Sequence, residues 1–176
     1  MIFGNPEDFA IEAEDDGLPS DPKSILAGHM RIWCSSSSIG DFGEEQSCLW
    51  HSQQELAKIA ADLSAITDPT FWTLSDEVLW NRFDRALYID RGQTNDEMAK
   101  DRLEWGRFDF LTNWGETFDG YKGMIYCLPD GRICMLVQQP DESVRTYSVT
   151  AKGFKDATAG FSLWCISLSE RSRSRQ

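Results

Sequence analysis

The chain has 176 residues, 41% of them hydrophobic and 12% aromatic, which is enough for a substantial core without disulfides or a structural metal. Its 29 acidic and 17 basic residues give a formal net charge of −12, which disfavours nucleic acid and anionic membranes as partners. The charge favours a basic protein partner, and it is equally consistent with a role in solubility alone. Length and composition predict a single domain over residues 1–176.

In the first half of the chain the sequence predicts two strands and two helices. Residues 9–14 alternate apolar and acidic side chains, which indicates a strand with one solvent-exposed face, and residues 29–34 predict a second strand. Apolar residues recur at helical spacing over residues 52–66. Ser75 is the expected N-cap of a shorter helix, whose first turn carries two acidic residues.

The middle of the chain gives weaker signals. The loop near residues 91–100 is the best candidate for a weak domain boundary, and the polar residues 96–104 predict either a surface helix or a mobile loop. Residues 105–112 alternate in polarity, which predicts a strand.

The clearest signals lie between residues 121 and 168. Apolar runs at residues 121–128 and 132–138 flank Pro129-Asp130-Gly131, a sequence typical of a tight turn, so we predict a central hairpin. Residues 144–149 predict a third strand. After Thr150 the apolar residues take helical spacing, which predicts a closing amphipathic helix.

Together these elements predict an α+β fold. Its antiparallel sheet of about five to six strands contains the central hairpin and the third strand, and it packs against two to four helices. We expect the C-terminal helix to cover one face of the sheet. The Arg/Ser-rich residues 171–176 predict a tail that frays.

The five cysteines are odd in number and scattered, a pattern that is not typical of a disulfide framework. Cys127 and Cys134 flank the hairpin, but its three-residue loop would place Cys127 opposite Ile133 and Cys134 opposite Tyr126, on different faces of the sheet. We expect all five to be small buried or half-buried residues in a reducing compartment. Since the sequence has neither a secretory signal nor an apolar run of membrane-spanning length, we expect a cytoplasmic protein.

The sequence carries no recognisable catalytic or metal-binding motif. It has no GxSxG, no phosphate-binding loop, no HExxH and no CxxC, and its two histidines are His29 and His51. Adjacent acids such as Glu44 and Glu45 fall in predicted loops, where solvated carboxylates are commoner than catalytic pairs. We therefore expect no catalysis, no cofactor and no metal.

Short segments near both ends of the chain carry a family resemblance. They are the opening Ile2-Phe3-Gly4-Asn5-Pro6-Glu7-Asp8-Phe9-Ala10-Ile11, the pairs Trp105-Gly106 and Trp114-Gly115, Phe118-Asp119-Gly120-Tyr121, the hairpin with Asp130-Gly131, and Gly153-Phe154 before a helix with Trp164. These segments resemble one family of immunity proteins from bacterial polymorphic-toxin and contact-dependent inhibition systems, whereas residues 34–88 match it poorly. The resemblance implies a cytoplasmic α+β protein that neutralises a cognate toxin by blocking its active site or substrate surface, without catalysis of its own.

The negative charge and the missing motifs together predict that the toxin domain is basic, and a nuclease is the type that we expect. An inhibitor that places acids where nucleic acid would bind gains a complementary potential. The acids that we expect to contact the partner lie in predicted loops or on solvent-facing strand positions: Glu12, Glu14, Asp15, Asp16, Asp41, Glu44 and Glu45. The expected aromatic anchor among them is Phe42 or Trp50.

Two other classes of function remain open on the sequence. A housekeeping interaction or scaffold protein without a toxin would have the same fold and charge. An enzyme with an unfamiliar site would need a deep pocket that holds a buried carboxylate beside His29 or His51.

Overall fold

The computed structural model describes residues 1–17, 26–43 and 46–173, with side chains up to Arg171. These residues form eight β-strands and four α-helices, and the strands lie in two antiparallel sheets. The α+β class and the antiparallel pairing are as predicted from the sequence. The structure divides the strands between two sheets.

The N-terminal sheet is built from the first five strands: β1 (Ile2–Gly4), β2 (Phe9–Asp15), β3 (Ala27–Cys34), β4 (Ser37–Ile39) and β5 (Ser47–Cys48). The strands β1 to β4 follow one another across the sheet, and β5 pairs with the start of β3. Alternate residues of β2 and β3 are buried, because side chains on a strand point to opposite faces. The strands predicted over residues 9–14 and 29–34 are therefore confirmed, whereas the sequence does not predict the short strands β1, β4 and β5.

The C-terminal sheet has three strands, β6 (Lys122–Cys127), β7 (Ile133–Gln138) and β8 (Arg145–Val149). In its register Cys127 pairs with Ile133 and Tyr126 with Cys134, as the turn chemistry predicts. All five cysteines of the chain are free thiols. The two sheets meet where Cys34 Sγ lies 3.8 Å from Met135 Sδ in the core.

The four helices are α1 (Leu49–Ala61), α2 (Asp76–Leu87), α3 (Asn95–Trp105) and α4 (Ala151–Arg173). The helix predicted over residues 52–66 begins three residues earlier, and its last part is a separate 3-10 turn, Leu63–Ile66. Ser75 caps α2 as predicted, since its side chain accepts a hydrogen bond from the Val78 amide. The surface helix predicted over residues 96–104 is α3, which buries no residue and is stabilised by a Thr94–Glu97 capping box.

The strand predicted over residues 105–112 is wrong. Trp105 ends α3, Gly106–Phe108 is a 3-10 turn, and Asp109 forms only an isolated bridge to Met124. The alternating pattern arises because aromatic residues that follow α3 enter the core, as where the buried Phe108 ring packs on Phe71 with ring centroids 4.8 Å apart. Tertiary packing thus overrides the local period of two.

Helix α4 covers the N-terminal sheet, because it packs against β1, β2 and α1. The Phe154 ring lies 4.9 Å from the Phe9 ring, and the Phe161 ring lies 5.8 Å from the Phe3 ring. The C-terminal helix therefore leaves the three strands that precede it and joins the two sheets into one fold. It extends to Arg173, into the segment predicted to fray, and residues 174–176 lie outside the described residues.

The turn before β2 fixes the start of α4. The Asp8 carboxylate accepts hydrogen bonds from the backbone amide of Thr150 at 2.7 Å and from its hydroxyl at 2.5 Å. A Cβ at Gly153 would lie 2.2 Å from Asp8 Oδ2, so any larger residue there would displace the Asp8 carboxylate from this position. Two of the segments that carry the family resemblance, at opposite ends of the sequence, thus meet in space.

Candidate functional site

The candidate site is the solvent-facing side of the N-terminal sheet, opposite the face that α4 covers. Its side chains come from the alternate positions of β2 and β3 that are not buried, and they include Glu12, Glu14, His29, Arg31 and Trp33. In the register of the two strands, Glu12 lies directly opposite Arg31 and Glu14 directly opposite His29. Acidic and cationic or titratable side chains therefore face one another across the strand pair.

Glu12, Arg31, Trp33 and Phe42 form one connected group, which we call the Arg31 stack. Arg31 Nε donates to Glu12 Oε2 at 2.7 Å, and Trp33 Nε1 donates to the same oxygen at 2.9 Å. The guanidinium carbon of Arg31 lies 4.6 Å from the Trp33 ring centroid and 5.2 Å from that of Phe42. Both distances are within the range of cation–π attraction.

Glu12 is therefore a partly buried, paired carboxylate, with a side chain that is 18% exposed. Burial by itself would raise its pKa, but the hydrogen bonds from Arg31 and Trp33 outweigh burial and hold the pKa below the usual glutamate value. Glu12 is ionised at neutral pH, and its charge is compensated by Arg31.

A second group surrounds Asp16. Its carboxylate lies 3.1 Å from His29 Nε2 and accepts a hydrogen bond from Gln46 Nε2 at 2.8 Å. The His29 ring lies 6.3 Å from the Phe42 ring, so this group adjoins the Arg31 stack. Two of the predicted partner residues, Glu12 and Asp16, are thus held in place by side chains from β3 and from the segment before β5.

The other predicted acids within the described residues are Glu14, Asp15 and Asp41. Glu14 is exposed on the same face, Asp15 accepts from the Gly17 amide at 3.1 Å, and the exposed Asp41 accepts from the Gly43 amide at 2.9 Å. Glu44 and Glu45 lie outside the described residues. The two expected anchors differ, because Phe42 is part of the Arg31 stack whereas Trp50 is partly buried against the hydrophobic core.

The negative charge is unevenly distributed along the chain. Residues 1–57 contain eleven acidic and two basic residues, a formal charge of −9, whereas residues 120–176 contain five acidic and eight basic residues, a formal charge of +3. The part of the chain that contains the N-terminal sheet is therefore strongly negative, and the C-terminal sheet and α4 come from the positive part of the chain.

A polar groove of about 560 Å³ separates the candidate site from the C-terminal sheet. Arg31, Asp41 and Phe42 line one wall, and Glu142 and Arg145 line the other. Arg145 donates to Glu142 at 2.7 Å, so both arginines of the groove have a carboxylate partner. The groove thus presents compensated charges and hydrogen-bonding groups.

Two further grooves lie near α3. One, of about 560 Å³, is lined by residues of α2, of α3 and of the loop between them, including Ile89 and Met98. The other, of about 480 Å³, contains His51 and Asp109. Asp109 accepts from Thr112 Oγ1 at 2.6 Å, while its other oxygen is buried without a hydrogen-bond partner among the described residues.

Burial raises the pKa of Asp109, against the opposing effect of its hydrogen bond from Thr112. His51 and Asp109 share this groove, but in the described part of the chain they form no hydrogen bond or ion pair with each other. The groove is open to solvent. Asp109 therefore does not orient His51 in the way that a catalytic carboxylate orients a histidine base. Within residues 1–17, 26–43 and 46–173, no three His, Cys, Asp or Glu side chains are grouped so that they could hold a metal ion.

Sequence reasoning identified the acids of the candidate site but not their partners on β3. The predicted strand over residues 29–34 places Trp33 on the face opposite Met30 and Ile32, and that alternation also puts Arg31 beside Trp33. The sequence does not show that β2 pairs with β3, which brings Glu12 opposite Arg31. It also does not show the path of the loop that places the Phe42 ring beside the guanidinium.

The family model of Immunity protein 42 matches residues 1–164. The chain belongs to this family. The match confirms the resemblance to immunity proteins of polymorphic-toxin and contact-dependent inhibition systems, and it extends over residues 34–88, where the motifs are weakest.

The fold is similar to that of CdiI from Burkholderia dolosa AUO158, known from a crystal structure. The TM-score is 0.60, with 13% sequence identity, and the match covers 91% of this chain and 97% of that chain. At this identity the likeness concerns the fold. No curated protein matches the chain. Every helix within the described residues is too short or too polar to span a lipid bilayer.

Proposed function

We propose that this member of the immunity protein 42 family binds a cognate toxin one-to-one in the cytoplasm and neutralises it by covering the toxin's active site or substrate surface. Membership of the family over residues 1–164 is the observation that carries the proposal. The candidate site supports it, since an open sheet face with paired, well-positioned side chains provides a recognition surface.

We further propose that the toxin domain is basic, and that it acts on nucleic acid. The formal charge of −9 in residues 1–57 favours a positively charged partner and speeds its encounter with the N-terminal sheet. A nuclease binds a polyanion, so an acidic face would occupy the surface that its substrate requires. The contacting acids would be those predicted from the sequence, with Glu14, Asp16 and Asp41 as the exposed ones described.

The role that we propose involves no catalysis by this chain. Two pairs of titratable or charged side chains in the candidate site hold each other in place, Asp16 with His29 and Glu12 with Arg31. These contacts position a surface for a protein partner.

The experiment is co-purification with the product of the neighbouring toxin gene, followed by rescue of cells from that toxin. We expect the wild-type chain to bind and to rescue. Glu14→Lys/Asp15→Lys and Glu44→Lys/Glu45→Lys should slow association and weaken rescue, because each reverses charge on the acidic region. The control is Asp156→Lys/Glu170→Lys, which makes the same change in net charge on α4 and should leave association unchanged.

A wild-type chain that neither binds nor rescues would contradict the proposed function. Unchanged association rates in both N-terminal variants would contradict the acidic face as the binding surface and leave the immunity function in place.

A further inference from the structure

The Arg31 stack has features that distinguish it from the acids around it. At neutral pH the charges of Glu12 and Arg31 cancel, and the side chain of Arg31 is 29% exposed. Trp33 and Phe42 are half-buried, and both rings lie within cation–π distance of the guanidinium. The stack is therefore an electrically compensated, partly apolar patch, and the open acids Glu14 and Asp41 lie around it.

The stack is also preorganised. Its four side chains are linked by two hydrogen bonds to one Glu12 oxygen and by two cation–π contacts to one guanidinium. Side chains that are already ordered lose less conformational entropy when a partner covers them. Arginine and tryptophan are the residues that most often dominate interface energetics, especially at a centre surrounded by polar residues.

We propose that the Arg31 stack is the centre of the toxin interface and takes an apolar side chain of the toxin, ringed by that toxin's lysine and arginine residues. This inference rests on the proposed function and deepens it, since it names the chemistry of the partner surface. The compensated stack matches the apolar side chain, and the surrounding acids match the basic ring.

This assignment separates two roles on the same face. The outlying acids act at long range and set the rate of encounter, whereas the stack is desolvated in the complex and sets the rate of dissociation. Glu12 affects the rate of dissociation and not the rate of encounter, because its charge is paired with that of Arg31.

The test measures the affinity and rates of binding of the neighbouring-gene toxin domain, in a catalytically inactive form, to purified full-length variants. Phe42→Ala removes one of the two aromatic rings beside the guanidinium. Arg31→Lys keeps the charge but loses the planar group that stacks. We expect each to raise Kd by about tenfold or more, mainly through faster dissociation. Unfolding midpoints measured on the same samples report whether the fold is intact.

Two controls make the result specific. Arg132→Lys changes an arginine that pairs with Asp130 in the C-terminal hairpin, and it should leave Kd unchanged. Leu103→Ala removes an apolar side chain that is 84% exposed on α3, and it should also leave Kd unchanged.

Folded Phe42→Ala and Arg31→Lys variants that bind as tightly as wild type would overturn the assignment while the immunity function stands. Weaker binding of Leu103→Ala in that case would assign the interface to the groove beside α3. A wild-type chain that fails to bind at all would remove both the proposed function and this inference.

Discussion

The two sheets of the molecule differ in how their strands are connected and in the charge that they carry. The C-terminal sheet is a run of consecutive hairpins, in the part of the chain with a formal charge of +3. The N-terminal sheet belongs to the part with a charge of −9, and it depends on α4, which arrives from the other end of the sequence. The sheet that is easiest to predict therefore supports the fold, and the sheet that needs long-range contacts presents the candidate site.

The largest expected effect comes from the ring contact between Phe9 of the N-terminal sheet and Phe154 of α4. Phe9→Ala and Phe154→Ala should each lower the free energy of unfolding by about 3–5 kcal/mol, because both rings are fully buried. Since the rings touch, the double variant should lose less than the sum of the two. Urea unfolding of all four proteins measures this coupling, and additivity within about 0.5 kcal/mol would contradict it.

A smaller effect is expected at the cap of α4. Asp8→Ala removes the acceptor for the amide and hydroxyl of Thr150, and it should lower the free energy of unfolding by about 1–2 kcal/mol. Glu7→Ala is the matched control, since its side chain is exposed on the same turn and should change stability little. Equal destabilisation by the two variants would show that the cap does not hold the N-terminal turn to α4.

The charge pairs of the two sheets should respond differently to pH. The pKa of Glu12 is lowered in the folded chain, so its stabilisation is present above the usual glutamate value of about 4.3 and is lost as pH falls through the lowered value. Glu12→Gln should therefore be less stable than wild type by up to about 1 kcal/mol at pH 7, with the difference shrinking in acid. Denaturant unfolding between pH 2 and 7 gives this curve.

The matched control is Glu142→Gln in the loop between β7 and β8. Glu142 and Arg145 are about half exposed, and water screens a pair of this kind. We expect a smaller difference from wild type across the same pH range. A pH response as large as that of Glu12→Gln would mean that Glu12 is no better shielded than a surface pair.

The smallest effect is expected at Asp109, where the change of stability with pH has the opposite direction to that at Glu12. Burial raises the pKa of this carboxyl, so the charged form reduces stability above the usual aspartate value of about 3.9, and protonation relieves that loss. Relative to wild type, the stability of Asp109→Asn should rise by a few tenths of a kcal/mol between acid and neutral pH. Unfolding curves in which the stability of Asp109→Asn relative to wild type falls as pH rises would contradict a raised pKa for Asp109.

How much of the fold the sequence predicts depends on whether local chemistry decides the structure. Pro129-Asp130-Gly131 determines the turn and hence the register of β6 with β7, and Ser75 determines the start of α2. Strand β1 is too short to show a period, and residues 105–112 alternate for reasons of tertiary packing. Both depend on contacts that lie far away in the sequence.

The same distinction applies to the candidate site. The alternation of acids on β2 is a local pattern, so Glu12 and Glu14 could be placed on a solvent-facing strand side from the sequence alone. The compensation of Glu12 by Arg31 depends on strand pairing, and the place of Phe42 depends on a loop path. Sequence reasoning therefore finds the charge of the surface but not the stack at its centre.

The most direct test of the N-terminal sheet as the toxin-binding surface is hydroxyl-radical footprinting of the free chain and of its complex with the toxin domain. If the toxin covers this face, oxidation of Trp33 and Phe42 falls in the complex, while oxidation of Met98 and Leu103 on α3 stays the same. Protection of Met98 and Leu103 with no change at Trp33 and Phe42 would contradict it.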